Sequence, residues 1–265
     1  MNKLVVIDLD NTLLNSRQKI SKKNKEKIKK VQNKGIEVMI ATGRMYSSAY
    51  PYLKELGLEN EVIVYNGSMV KNIKENKTIY HNPIKKEYAK EIIKDIKSKD
   101  LHINLYQNDK LYVDKDNEYK KRYEEISGIN AIQVDNLDQF DFDAPTKLLI
   151  IEDDRDKHQY YHKYLRETYN DIIDVTESKE YFIEIGAKGV NKGNTLQKII
   201  QNKDIKQDEI IAIGDSYNDL EMLSFANTGV AMENAAQKIK DMADLIAPHH
   251  ENDGVALILD ELILN

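Results

Sequence analysis

Leu4-Val5-Val6-Ile7-Asp8-Leu9-Asp10-Asn11-Thr12 decides how this chain is read. Four apolar residues in a row predict a buried strand over residues 3 to 8, and a core strand has no use for two carboxylates at its end. Side chains alternate along extended backbone, so Asp8 and Asp10 are expected to point the same way. Two anions held that close repel each other unless a cation or a shared proton lies between them. Magnesium, a hard cation that takes oxygen ligands, meets that demand.

Three further fragments sit where a predicted strand ends or a predicted helix begins. Ile36-Glu37-Val38-Met39-Ile40-Ala41 reads as a second buried strand and delivers Thr42-Gly43-Arg44. Gly189-Val190-Asn191-Lys192-Gly193 precedes a helix with Leu196, Ile199 and Ile200 on its apolar side. Ile210-Ile211-Ala212-Ile213 is another strand and delivers Gly214-Asp215-Ser216-Tyr217-Asn218-Asp219. In parallel α/β sheets the ligand crevice lies beyond the carboxyl ends of the strands, so these fragments are expected to converge.

Lys192 carries a physical argument of its own. With Asn191 as N-cap it becomes the first helical residue, a cation at the unfavourable end of the helix dipole, and a bound anion would relieve that conflict. Taken alone, Asp215 and Ser216 read as an ordinary N-cap, Asp219 as a first-turn carboxylate, and Thr12 and Thr42 as turn residues. The order of the fragments argues against reading each of them alone.

Asp8-x-Asp10-x-Thr12, then Thr42, then Lys192, then the acidic pair Asp215 and Asp219 resembles the ordered motifs of the haloacid dehalogenase superfamily of phosphohydrolases. Thr42-Gly43-Arg44, Gly189-Val190-Asn191-Lys192-Gly193 and Gly214-Asp215-Ser216-Tyr217-Asn218-Asp219 look most like its Cof-type branch (type IIB, with a C2 cap), and the match spans the whole chain. The resemblance implies an α/β fold: a Rossmann-like core with a parallel sheet flanked by helices, plus an inserted α+β cap. It implies that Asp8 attacks phosphorus to give an aspartyl-phosphate, and that Asp10 protonates the leaving alcohol and then activates water. Mg2+ would be held by Asp8, the Asp10 backbone carbonyl and Asp215. Phosphate oxygens would be held by the Leu9 and Gly43 N–H groups, the Thr42 hydroxyl, Lys192 and Asn218, with Thr12 and Asp219 in support. Asn11 departs from the glycine usual in that branch, although Asn tolerates the unusual backbone angles of such a turn.

Along the chain, residues 3 to 40 read as a βαβ unit with a helix over 22 to 34, Ser21 as its N-cap and Gly35 closing it. A helix near 46 to 56, a strand over 61 to 65 and a short hairpin through Thr78-Ile79-Tyr80 follow. Residues 83 to 185 change pattern to helices at 85 to 98, 117 to 126 and 156 to 168. Strands are predicted there at 101 to 107, 110 to 114, 146 to 151, 172 to 176 and 181 to 185. The domain expectation is therefore core at 1–82 and 186–265, with an inserted cap at 83–185 of the kind that rocks as a lid.

With 265 residues, the chain suits two modest domains. A 41% hydrophobic content supports a packed core, and 32% charged residues predict a very polar surface. The net charge of −6 argues against a nucleic-acid partner, and the basic stretch Lys19 to Lys34 reads as the wet face of a helix. The absence of cysteine excludes disulfides, thiolate metal sites and thiol catalysis. No apolar run reaches the roughly 18 residues that span a membrane, and no export signal is evident. A cytoplasmic protein, monomeric or a weak dimer, with no membrane partner, is expected. His158 and His162, spaced i, i+4, read as a solvated helix face rather than a metal site, and the tyrosines are too scattered to stack bases.

The leading functional expectation is a Mg2+-dependent phosphatase of small phosphorylated metabolites, sugar phosphates or phosphorylated cofactors. The alternatives are a hexose phosphomutase of the same superfamily and a non-catalytic phosphometabolite-binding protein. A signalling receiver domain also combines acids, a Thr and a Lys, but its phosphorylated Asp follows the acidic pair and its chain is about half as long.

Overall fold

Leu4–Ile7 (β1) is an interior strand of a parallel sheet, and its four side chains are all buried, as strands covered on both faces require. The computed structural model describes residues 2–265, with backbone alone at 178 and 179. Beyond β1 the chain turns tightly and enters helix α1 (Lys22–Asn33). Ser21 caps it by accepting from the Asn24 N–H at 3.0 Å, and Gly35 leaves it at φ +79°. Lys22, Lys29 and Lys30 of α1 are exposed, Lys27 pairs with Asp260, and Ile28 and Val31 are buried. Asn24, also buried, donates to the Leu13 carbonyl and accepts from the Ala256 N–H, which ties α1 to the last helix.

Strand β2 (Glu37–Ile40), helix α2 (Tyr46–Glu55) with Pro51 inside it, and strand β3 (Glu61–Val64) follow. Strands β4 (Met69–Asn72) and β5 (Lys77–His81) form a small sheet with β3. The next stretch holds α3 (Lys86–Ser98), β6 (His102–Gln107), β7 (Lys110–Val113), α4 (Glu118–Ser127), β8 (Ile132–Gln133) and β9 (Lys147–Ile151). It continues through α5 (Arg155–Thr168), β10 (Ile173–Lys179) and β11 (Phe182–Ala187). The chain closes with α6 (Lys192–Ile200), β12 (Ile210–Gly214), α7 (Leu220–Phe225), β13 (Thr228–Met232), α8 (Gln237–Lys240), β14 (Leu245–Ala247) and α9 (Gly254–Leu259).

Two compact units result. One comprises Met1–Gly43, Ala49–Ile79 and Asn191–Asn265, the other Arg44–Ser48 and Tyr80–Val190. The first contains the parallel sheet in the order β14-β13-β12-β1-β2, in which Ile7 pairs with both Ile213 and Ile40. That register brings the carboxyl ends of three strands side by side. Strand β3 continues the sheet through a single parallel bridge between Ala41 and Ile63.

The second unit is a six-stranded sheet ordered β10-β11-β9-β6-β7-β8. One face carries Ile103, Leu105, Leu148, Ile150, Ile183 and Ile185, which pack with Ile92, Ile93 and Ile96 of α3 and Leu165 of α5. By the alternation of strands, the other face carries the buried polar residues His102, Asn104, Lys147 and Glu184. Lys147 lies 3.3 Å from Glu184, and Nε2 of His102 is 3.0 Å from the Asn104 Oδ1. The expectation of a solvated His158 and His162 is corrected here. His158 is 3% exposed and shares the inward face of α5 with Leu165 seven residues on; Nδ1 of His162 lies 3.7 Å from Glu177. Among the described residues, no helix is long and apolar enough to cross a membrane.

Candidate active site

The site is built where β1, β2 and β12 end. Asp8 follows β1 directly and donates its N–H to the Ile213 carbonyl of β12 at 3.0 Å, which fixes its backbone between two core strands. Its side chain is 6% exposed. The strand has ended by then, so alternation is not what places Asp10. The turn over Leu9–Leu13, closed by the Leu14 N–H on the Leu9 carbonyl at 2.8 Å, carries the half-buried Asp10 around instead. Asn11 takes φ +56° there, in the left-handed region that Asn, unlike most side chains, enters readily. The side chains of Leu9 and Thr12 are fully buried, and the Thr12 hydroxyl donates to Oδ1 of Asp215 at 3.0 Å.

Thr42 is fully buried; its N–H donates to the Ile63 carbonyl and its carbonyl accepts from the Asn66 N–H. A Cβ at Gly43 would meet Oδ1 of Asn66 at 2.7 Å, so a larger residue there would displace the Asn66 side chain. Asn66 in turn accepts from Nδ2 of Asn218 at 2.9 Å, linking the end of β3 to the turn after β12. Oδ1 of Asn218 is buried and has no hydrogen-bond partner in the structure.

Lys192 is the first residue of α6, with Asn191 capping the helix by accepting from the Asn194 N–H at 2.7 Å. Its ammonium is fully buried and lies 2.6 Å from Oδ1 of Asp8 and 2.6 Å from Oδ1 of Asp219. The other Asp219 oxygen accepts the N–H groups of Asp215 and Ser216, at 3.1 and 3.0 Å. Asp219 therefore has both oxygens engaged. Gly214 makes room for it, since a Cβ at that position would sit 2.6 Å from the Asp219 Cγ.

Ligand atoms of Asp8, Asp215 and Asp219 lie within 4.8 Å of one another. Two of these carboxylates, Asp8 and Asp219, share the Lys192 ammonium. Burial, then the charges of Asp219, Asp215 and Asp10, push the Asp8 carboxyl well above the usual range against the opposing pull of Lys192. Burial and Asp219 raise Asp215 to about 7, while the Thr12 hydroxyl and Lys192 work the other way. Burial opposes the charge on Lys192, yet the two carboxylates outweigh it and raise its pKa. An all-oxygen, anion-rich pocket of this kind fits a hard divalent cation.

One residue at the site carried no signal as a motif. Asn234, just past the carboxyl end of β13, donates to the Asn11 carbonyl at 2.9 Å and to Oδ2 of Asp215 at 3.4 Å. A polar residue one or two places beyond a buried parallel strand was the available clue, the same clue that marked Asp8 and Asp215.

A sequence profile of the haloacid dehalogenase-like hydrolases matches residues 5–259. The phosphatase YwpJ of Bacillus subtilis is 28% identical over 98% of this chain and 100% of its own length. The 5-amino-6-(5-phospho-D-ribitylamino)uracil phosphatase YitU of the same organism is 30% identical over 97% of this chain and 96% of its own. Among solved structures, a Thermotoga maritima protein superposes with a TM-score of 0.88 at 34% identity, covering 99% of this chain and 98% of its own. A haloacid dehalogenase-like hydrolase from Bacteroides thetaiotaomicron gives 0.90 at 29% identity over 99% and 100%. With a buried aspartate at the end of β1, a lysine bridging it to a second acid, and a match along nearly its full length, this chain belongs to the haloacid dehalogenase-like hydrolases and is one of their phosphatases.

Proposed function

We propose that this protein is a Mg2+-dependent phosphatase of small phosphorylated metabolites that works through an aspartyl-phosphate on Asp8. The observation that carries the reading is the buried Lys192 bridging Asp8 and Asp219 beside Asp215. Phosphoryl transfer asks a protein mainly for positioning and for neutralisation of charge on the transferred group. Asp8 is positioned by two strands and partly neutralised by Lys192, so one of its oxygens can be held while the other attacks phosphorus. Asp10, carried on the adjacent turn, gives a proton to the departing alcohol and then takes one from the water that hydrolyses the intermediate. Thr42, the Gly43 and Leu9 N–H groups, Lys192 and Asn218 hold the phosphate oxygens.

Asp8, the Asp10 carbonyl and Asp215 would hold the cation, while Asp219 accepts from Lys192 and from the N–H groups of Asp215 and Ser216. Bound there, Mg2+ would offset the carboxylate excess and draw charge from the phosphate oxygens. Thr12 and Asp219 support the arrangement by fixing Asp215 and Lys192.

Sugar phosphates and phosphorylated cofactors are the substrate classes proposed. Three Bacillus subtilis relatives are named as phosphatases of 5-amino-6-(5-phospho-D-ribitylamino)uracil, a small phosphate ester, which supports the small-metabolite reading. The test is a panel of phosphorylated metabolites with detection of released inorganic phosphate. Release from one or a few small esters supports the reading. Isomerisation of a hexose phosphate without release would point to a mutase, and binding without turnover to a sensor.

A further inference from the structure

Asp215 is gripped from two sides. Thr12 donates to its Oδ1 at 3.0 Å, and the side-chain amide of Asn234 reaches its Oδ2 at 3.4 Å. Two donors on the two oxygens of one carboxylate fix its rotation about the Cβ–Cγ bond, the soft torsion of an aspartate. The same Asn234 Nδ2 donates at 2.9 Å to the carbonyl of Asn11, one residue beyond Asp10, in the turn at φ +56°. Oδ1 of Asn234 accepts the His250 N–H at 3.2 Å. His250 in turn places its Nδ1 2.9 Å from the Leu14 carbonyl, and the neighbouring His249 N–H donates to Glu233 at 2.9 Å. The loop after β13, the loop after β14 and both ends of the turn after β1 are thus stitched together, with Asn234 at the junction.

We infer that Asn234 is a positioning residue of the cation site: it sets the orientation of the Asp215 carboxylate relative to the turn that presents Asp10. The inference rests on the metal reading given above. An amide suits this place because it supplies a donor toward the Asn11 carbonyl and the carboxylate, and an acceptor toward the His250 N–H. A carboxylate in the same place would set acceptor against acceptor. Partners that orient metal ligands from behind typically govern about 10- to 100-fold of metal affinity. Asn11, whose side chain is exposed, leaves its carbonyl available for this contact. The unusual turn residue and the distant asparagine are therefore two halves of one device.

The experiment compares wild-type protein with Asn234→Ala, full length in each case. Mg2+ affinity is read by calorimetry and, independently, Mn2+ affinity by electron paramagnetic resonance of the free ion. Steady-state kinetics on an aryl phosphate are measured across a Mg2+ titration, with the melting temperature of the metal-free protein as the structural control. The expected result is a 10- to 100-fold weaker affinity for both ions. The Mg2+ needed for half-maximal rate should rise by the same factor, with KM for the ester little changed at saturating Mg2+. A purely structural role would lower the melting temperature and kcat together, and added Mg2+ would not restore the rate. That pattern, or wild-type ion affinity in Asn234→Ala, overturns the inference while leaving the metal reading intact. Metal-independent turnover by the wild-type protein removes both. If Asn234→Ala does not fold, Asn234→Gln, which keeps the amide but displaces it by one methylene, is read by the same criteria.

Discussion

Lys192 meets Asp8 at 2.6 Å across 184 positions of sequence, with the ammonium fully buried. Removing one partner of a buried pair leaves the other uncompensated, which typically costs about 3–5 kcal/mol. Lys192→Met should therefore lose at least about 3 kcal/mol of unfolding free energy at pH 8, together with nearly all turnover. The loss should be smaller at pH 5 than at pH 8, because without the opposing pull of Lys192 burial pushes the Asp8 carboxyl still further above the usual range and it is neutralised more readily as pH falls. Urea denaturation at the two pH values checks this.

Gly214 is the quietest member of the site. A methyl group there would sit 2.6 Å from Cγ of Asp219, whose carboxylate organises Lys192 and the N–H groups after β12. Gly214→Ala should cost about 1–3 kcal/mol by overpacking and lower kcat far more than that loss of stability alone implies. Melting temperature and kcat measured on the same preparation separate the two effects.

Within the second unit, His102 supplies a pH dependence of stability. Burial, above all other influences, lowers its pKa to about 4. The unfolded chain, with an ordinary His value near 6.5, binds a proton that the folded protein refuses between those two values. Stability from this residue is therefore complete above about pH 6.5 and is lost as pH falls toward 4. The expected loss is about 2 kcal/mol between pH 7 and pH 5. His102→Phe should flatten that part of the profile, and equal slopes for variant and wild type would refute the assignment.

Removal of divalent cations by EDTA should abolish turnover, and Mg2+ should restore it. Mg2+ should also raise the melting temperature, because it binds the folded carboxylate cluster and not the unfolded chain. Asp215→Asn should lose most of that thermal shift. Full activity in metal-free buffer would contradict the assignment.

Much of this was readable in advance because the informative residues sit at element boundaries. Ser21 and Asn191 announced their helices as caps, and both make the capping bonds. The strands that deliver Asp8, Thr42 and Asp215 were legible as short apolar runs with polar residues immediately after. Strands β13 and β14 were less so, being short and lacking any motif behind them. Asn234 belongs to no motif, and only the folded chain brings it to Asn11 and Asp215. The spacing of His158 and His162 was read correctly as one helix face, but which way that face points depends on Leu165 and the sheet beneath it. Asp10 departs from the alternation that the apolar run suggests, because the turn over Leu9–Leu13 carries it.

The central claim is covalent catalysis by Asp8. Asp10→Asn should still accept phosphate from an aryl ester with a good leaving group and release it slowly, because general base catalysis is lost while the nucleophile remains. Acid quenching of that reaction, followed by peptide mass spectrometry, should place a hydroxylamine-labile phosphate on Asp8, and Asp8→Asn should carry none and turn nothing over. Phosphate on another residue, or near-native turnover by Asp8→Asn, would contradict the mechanism.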